Sequence, residues 1–197
     1  MPTNDEDFCF EDGNIVFIAE DASFRVHRGA LSRHSIVFND ILGIPPSGPM
    51  NTGELLDGCP VVHVSDSAYD FKQLLHLLYD GVHFLKPRQP VEFSIIATLT
   101  RLAHKYQLDN LLAECTSRLE SVSTDDFESW LEYRGANNNS LTVRPEHAIE
   151  ALALIRLLAR HSMLPAALYA CVLLSPCYIL SGAPRADGSR ATLSAAD

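Results

Sequence analysis

The sequence predicts an α+β fold: a small three-stranded mixed sheet near the N-terminus, flanked by helical hairpins, with further helices appended towards the C-terminus. Three observations carry this. After Asp12-Gly13, the run Asn14 to Ala19 is apolar on both alternating faces at Ile15, Val16, Phe17 and Ile18, which suits a strand covered on both sides. Phe24-Arg25-Val26-His27 alternates with period two, the pattern of an antiparallel partner. Beyond Leu31 apolar residues recur at helical spacing in successive segments as far as Leu174.

Taken in order, Glu20-Asp21-Ala22-Ser23 supplies the turn between the first two strands. Ser35 stands where an N-cap belongs, ahead of Val37, Phe38, Ile41 and Leu42, so its hydroxyl can accept a free N–H of the first helical turn. Gly43 to Pro60, rich in Pro and Gly and without periodicity, predicts a surface loop. Val61, Val62 and Val64 form a β-branched third strand. Asp66-Ser67 caps a helix with Phe71, Leu74, Leu75 and Leu78 on one side, and Gly81 lies just past its end.

Lys86-Pro87-Arg88-Gln89-Pro90 leads to a helix with Ile95, Leu99, Leu102, Ala103 and Tyr106 on one stripe. Asp109 caps the next, which buries Leu111, Leu112, Cys115 and Leu119. Ser123-Thr124-Asp125-Asp126 predicts a capping box before Phe127, Trp130 and Leu131, and Gly135 to Thr142 ends that helix. Pro145 is placed to open another, apolar nearly all round from Ala148 to Ala159. A last helix starts at Leu164-Pro165 and runs to about Leu174, after which the small, polar residues Ser181 to Asp197 predict a poorly ordered tail.

Composition narrows the function. The net charge of -10 and a pI near 5.2 argue against nucleic acid or an anionic membrane as partner, since both want a basic stripe. Five Cys without a C-x-x-C pair give no disulfide framework or zinc site and fit a reducing compartment. Met1 to Asp12 has no secretory pattern, so an intracellular location, cytoplasmic or nuclear, is expected. Leu164 to Leu180 falls short of a membrane span of about 20 apolar residues. The eight His offer no i, i+4 pair for a metal, and there is no G-x-S-x-G elbow or phosphate loop, so neither cofactor nor catalysis is expected.

The order Ile15-Val16-Phe17, Phe24-Arg25-Val26-His27-Arg28, Leu31, Ser35, Phe38, then Val61 to Asp66 and Leu78-Tyr79-Asp80-Gly81, resembles the BTB/POZ domain. It is most similar to the fungal branch, in which a loop ending Gly58-Cys59-Pro60 precedes the third strand. Leu99 to Leu111 is similar to the helical hairpin that closes the domain. The resemblance spans about residues 10 to 120. It implies a protein–protein interaction fold used for self-association, or for docking onto a cullin-type ubiquitin ligase scaffold or a transcriptional corepressor, without chemistry. It also implies that His27 and Arg28 lock the first helix onto the sheet and that Ser35 caps the second.

Three departures qualify it. Asn14 stands where many relatives carry an Asp facing a basic residue, which removes the ionic partner expected for Arg28. Met1 to Asp12 is too short and acidic to supply both the extra N-terminal strand and the helix of strand-exchanged dimers. Ser65 to Phe71 lacks the Glu that cullin adaptors often carry there. The resulting division is an acidic N-terminal tail (1-11), a BTB/POZ domain (12-120), a helical extension (121-180) and a flexible tail (181-197). The motif residues are Asn14, Phe24, His27, Arg28, Leu31, Ser35, Phe38, Asp66, Tyr79, Gly81 and Tyr106.

Overall fold

The computed structural model describes residues 2–43, 54–81, 84–85, 89–120 and 141–194. The capping-box helix expected from Ser123, most of the loop after Gly43, and Lys86 to Arg88 lie outside the described residues. The chain forms two compact units, one of Met1–Phe84 with His104–Leu108, the other of Leu85–Ala103 with Asp109–Asp197.

The first unit holds β1 (Thr3–Cys9), β2 (Ile15–Ala19), β3 (Ala22–Val26), α1 (Arg28–Ser32), α2 (Ile36–Gly43), β4 (Leu55–Leu56), β5 (Cys59–Val64) and α3 (Ala68–Asp80). The sheet has five strands, not three, in the order β1-β3-β2-β5-β4. The three expected strands are its centre: β2 runs antiparallel to β3 and parallel to β5. All five residues of β2 are buried. On one face, Phe17 and Phe24 sit opposite each other and both meet the ring of Phe71 from α3, at 5.2 and 5.5 Å. Val16 and Ile18 pack with Cys59 and Leu56 in a second cluster. The β2–β3 turn is shorter than expected, because Ala22 already pairs with Ala19 and only Glu20 and Asp21 remain to make it.

The acidic tail expected over 1-11 is instead an edge strand, parallel to β3. Hydrophobic alternation does not announce it, because ion pairs hold it: Lys72 of α3 reaches Asp5 at 3.0 Å and Asp7 at 2.7 Å. Between Asn4 and Cys9 the ladder bulges, and Asp5 Oδ1 accepts the N–H groups of Asp7 and Phe8 across the bulge. In α2, Phe38 and Leu42 are buried, whereas Ile41, expected on the same stripe, is exposed. In α3, Ser67 Oγ accepts the Asp70 N–H at 3.1 Å, and Phe71, Leu74 and Leu75 are buried. Gly81 ends that helix at φ 62°, ψ -142°, a conformation essentially reserved for glycine.

The second unit contains β6 (Val91–Glu92), α4 (Phe93–Lys105, as far as Ala103), α5 (Asp109–Glu120) and β7 (Leu141–Thr142). After these come α6 (Ala148–Leu157), α7 (Leu164–Val172), α8 (Pro176–Ser181), β8 (Ala183–Pro184) and β9 (Arg190–Ala191). Pro145 opens a 3-10 turn that runs directly into α6. On α4 Leu99, Leu102 and Ala103 are buried as expected, with Ile96 fully buried in place of the half-buried Ile95, and on α5 Cys115 and Leu119 are buried while Leu111 and Leu112 are half-buried. Ile149, Leu152 and Ile155 of α6 share a core with Met163, Ala167, Cys171 and Leu174.

The flexible tail expected from 181 is also corrected, since β8 and β9 pair as an antiparallel hairpin. Ala183 and Ala191, each about 1% exposed, belong to the α6–α7 core, and smallness is what lets them fit. Gly182, at φ 79°, sits so close to the hairpin that a Cβ would meet the Ala191 carbonyl oxygen at 2.7 Å. Arg190 closes the turn by donating to the carbonyls of Ser181 and Gly182, both at 2.6 Å. Among the described residues no helix is long and apolar enough to cross a membrane.

Candidate functional site

Most of the motif residues gather at two places in the first unit. The first is the junction where β3 runs into α1. The Tyr79 hydroxyl accepts the His27 backbone N–H at 2.9 Å and lies 3.1 Å from His27 Nδ1, while Asp12 Oδ1 lies 3.2 Å from Nε2. Every group is satisfied when Nε2 carries the proton toward Asp12 and Nδ1 accepts from the Tyr79 O–H. Burial, and to a lesser degree the charge of Asp12, pushes the Tyr79 hydroxyl above its ordinary pKa, against the pull of the His27 N–H, so it stays protonated to donate.

Asn14 completes this junction. Its Oδ1 accepts the backbone N–H of Arg28 at 2.8 Å, satisfying one of the orphan donors at the start of α1. Asn14 is thus bonded to the Arg28 main chain, a role that an amide fills without any ionic partner. Through its contacts with Tyr79, His27 ties the entry of α1 to the end of α3. Phe10 covers the junction, its ring 5.1 Å from both His27 and Tyr79.

At the second place, Ser35 Oγ accepts the Phe38 N–H at 3.0 Å, the expected cap, and donates to the Tyr106 carbonyl at 2.6 Å. The Tyr106 ring stacks on Phe38 at 4.3 Å. Asp66, expected to help cap α3, is engaged elsewhere: it accepts the Tyr106 hydroxyl and, at 2.7 Å, the ammonium of Lys105. Burial and the bond to Asp66 drive the Tyr106 hydroxyl far above the usual phenol range. Phe24, Leu31 and Phe38 have no exposed surface and are core.

Sequence reasoning missed Phe8, Phe10, Asp12, Lys72 and His76 around the first junction. Phe8 is buried and packs edge-on to His76 at 4.7 Å, but the one apolar pair Phe8 and Phe10, among acidic residues, is too short an alternation to mark a strand.

The second unit has its own buried charge. Glu150 is 5% exposed and accepts from Arg101, with Arg185 Nε at 3.3 Å. Burial raises its carboxyl pKa, against the pull of both arginines. The Cys115 thiol is pushed up to about 12 by burial, so it behaves as a small hydrophobe. Among the described residues no group of three or more His, Cys, Asp or Glu is placed to hold a metal ion. In both units the polar groups named here are spent on one another, tying elements together.

A family model described as the BTB/POZ domain matches residues 7–123, more than half of the chain. The match starts inside β1, at Asp7. A comparison with curated protein sequences gives no match. By its sheet, its capped helices and this match, the chain belongs to the BTB/POZ family, whose domains are protein–protein interaction modules that bind other proteins and self-associate and are generally non-catalytic.

Proposed function

We propose that this chain is a scaffold or self-associating adaptor without catalysis, built on its BTB/POZ domain and extended by the C-terminal helices. The observation that carries this reading is the fate of the large apolar side chains. Val172 and Leu180 are 72% and 87% exposed, and Tyr169 and Leu173 stand about half out, on helices that already have a core beneath them. Soluble chains rarely leave contiguous apolar surface of more than a few hundred Å² uncovered without a partner for it. The loop ending Gly58-Cys59-Pro60 supports kinship with the fungal branch. The cullin-adaptor reading has less support, because Ser65 to Phe71 lacks the expected Glu, and the corepressor reading has no residue of its own.

Sedimentation of the purified full chain over a concentration series, with affinity purification from the native cell, tests the proposal. Mass rising with concentration, or a recovered protein partner, supports it. A strictly monomeric chain that recovers nothing removes it, and tight binding to a purified cullin N-terminal domain replaces it with the ligase-adaptor reading.

A further inference from the structure

We infer that the outward face of α1, with the start of α2, is a docking surface for an acidic, extended segment of a protein partner. This names a partner class for the adaptor reading and rests on it.

Charge is unevenly spread along the chain. Between Ala22 and Asn39 stand three Arg and two His but no Asp or Glu, although the chain as a whole carries -10. Two of these five are spent inside the fold: Arg25 donates to the Gly13 carbonyl at 2.9 Å, and His27 lies between Asp12 and Tyr79. Arg28, Arg33 and His34 are exposed, and among the described residues no ion pair or hydrogen bond engages their side chains.

The helix beside them is bare. Leu31 is the buried residue of α1, so Gly29 and Arg33, at spacing i, i+4, point the other way. A Cβ at Gly29 would meet nothing within 4 Å, and its φ lies outside the left-handed range, so neither packing nor conformation within the chain asks for glycine there. An exposed helical glycine costs stability relative to alanine, but it lets another main chain come close. Just beyond, Ile36 opens α2 with 63% of its surface exposed.

Chemistry selects the occupant. A guanidinium can form two parallel bonds to one carboxylate, so two unpaired guanidiniums flanking a bare stretch of helix fit carboxylates spaced along an extended segment. Two cations are too few to hold a nucleic acid or an anionic bilayer to a chain this acidic, because binders of phosphate arrays neutralise many charges at once. Ile36 adds an apolar contact that a peptide side chain can use and a phosphate backbone cannot.

The test follows fluorescence anisotropy of a labelled oligoglutamate peptide carrying two leucines, titrated with the full chain. The parent should bind it, less tightly as salt rises. Arg28→Glu and Arg33→Glu should each weaken binding by about ten-fold with far-UV circular dichroism unchanged, since both side chains are exposed. Gly29→Ala should raise the melting temperature by about 1 to 3 °C and yet weaken binding, a pairing of effects that a purely structural glycine would not give. Arg160→Glu, an equal change of charge in the second unit, should leave the affinity unchanged.

A parent that ignores the peptide, or an Arg33→Glu chain that binds as tightly as the parent, overturns the inference. So does an equal loss with Arg160→Glu, which would mean attraction to net charge alone. Oligothymidylate or phosphatidylserine vesicles that bind more tightly than the peptide, and are lost with the same substitutions, assign the face to phosphate and overturn it as well. In each case the adaptor reading stands if sedimentation or affinity purification still yields a partner, and falls with the inference if neither does.

Discussion

The sheet core of the first unit and the C-terminal end of the second, α7 with the terminal hairpin, bury opposite kinds of apolar residue. In the first, the largest side chains go inside: Phe17, Phe24, Phe38 and Phe71 have no exposed surface, and their rings touch one another in a chain. In the second, α7 and the terminal hairpin place Ala167, Cys171, Ala183 and Ala191 inside and leave Tyr169, Val172, Leu173 and Leu180 outside. Since burial stabilises by about 25 cal/mol per Å² of apolar surface, the first arrangement favours the fold and the second leaves much of that free energy unused within the chain. The contrast teaches that at this C-terminal end it is the small apolar residues that are placed inside, and the large ones outside.

Four substitutions and one titration probe that contrast. Phe71→Ala removes the ring that spans Phe17 and Phe24 and should destabilise by about 3 to 5 kcal/mol in chemical denaturation. A loss below about 1 kcal/mol would erase the distinction between the units. Glu150→Ala leaves Arg101 and Arg185 without their shared carboxylate; with the arginines partly exposed, about 3 kcal/mol is expected, from the lower end of the range for buried pairs. A neutral result would mean that the second unit does not depend on its buried charges.

Ser35→Ala deletes a bond to the Phe38 amide and one to the Tyr106 carbonyl, and should cost about 1 to 2 kcal/mol. Acid should act more locally. Lys72 holds the Asp7 carboxyl below its ordinary 3.8, so that group's contribution is complete above about pH 3.8 and is lost as pH falls through the depressed folded value. Amide exchange in β1, corrected for its intrinsic pH dependence, should therefore speed up below that point while β2 stays protected. Leu180→Ser should change the monomer's stability by less than about 0.5 kcal/mol at low concentration, despite deleting a large apolar group. A loss near that of Phe71→Ala would show that the second unit needs its outer face to fold.

The central sheet and most helices were legible because their residues repeat with the period of the element they form. Ile15 to Ile18 announced a doubly covered strand, and Phe71, Leu74 and Leu75 announced the inner face of α3. What escaped were elements held by something other than periodic hydrophobicity. Strand β1 depends on Asp5 and Asp7 finding Lys72, a pairing 67 and 65 residues apart that no local window contains. The terminal hairpin depends on alanines whose smallness looked like disorder. Of the motif residues, Ser35 had a visible reason in helix capping, whereas Asn14 and Tyr79 act across 14 and 52 residues and were found only through family resemblance.

The parallel edge strand has a practical corollary. Thr3 donates its amide to the Asp21 carbonyl, and Phe10 donates to that of Arg25, so the first ten residues shield the outer rim of β3. A chain trimmed to begin at Asp12 would bare that rim, offering unpaired backbone groups as a template to any extended segment nearby. Proteolytic nicking of the N-terminus should then appear as aggregation, long before any loss of helical signal.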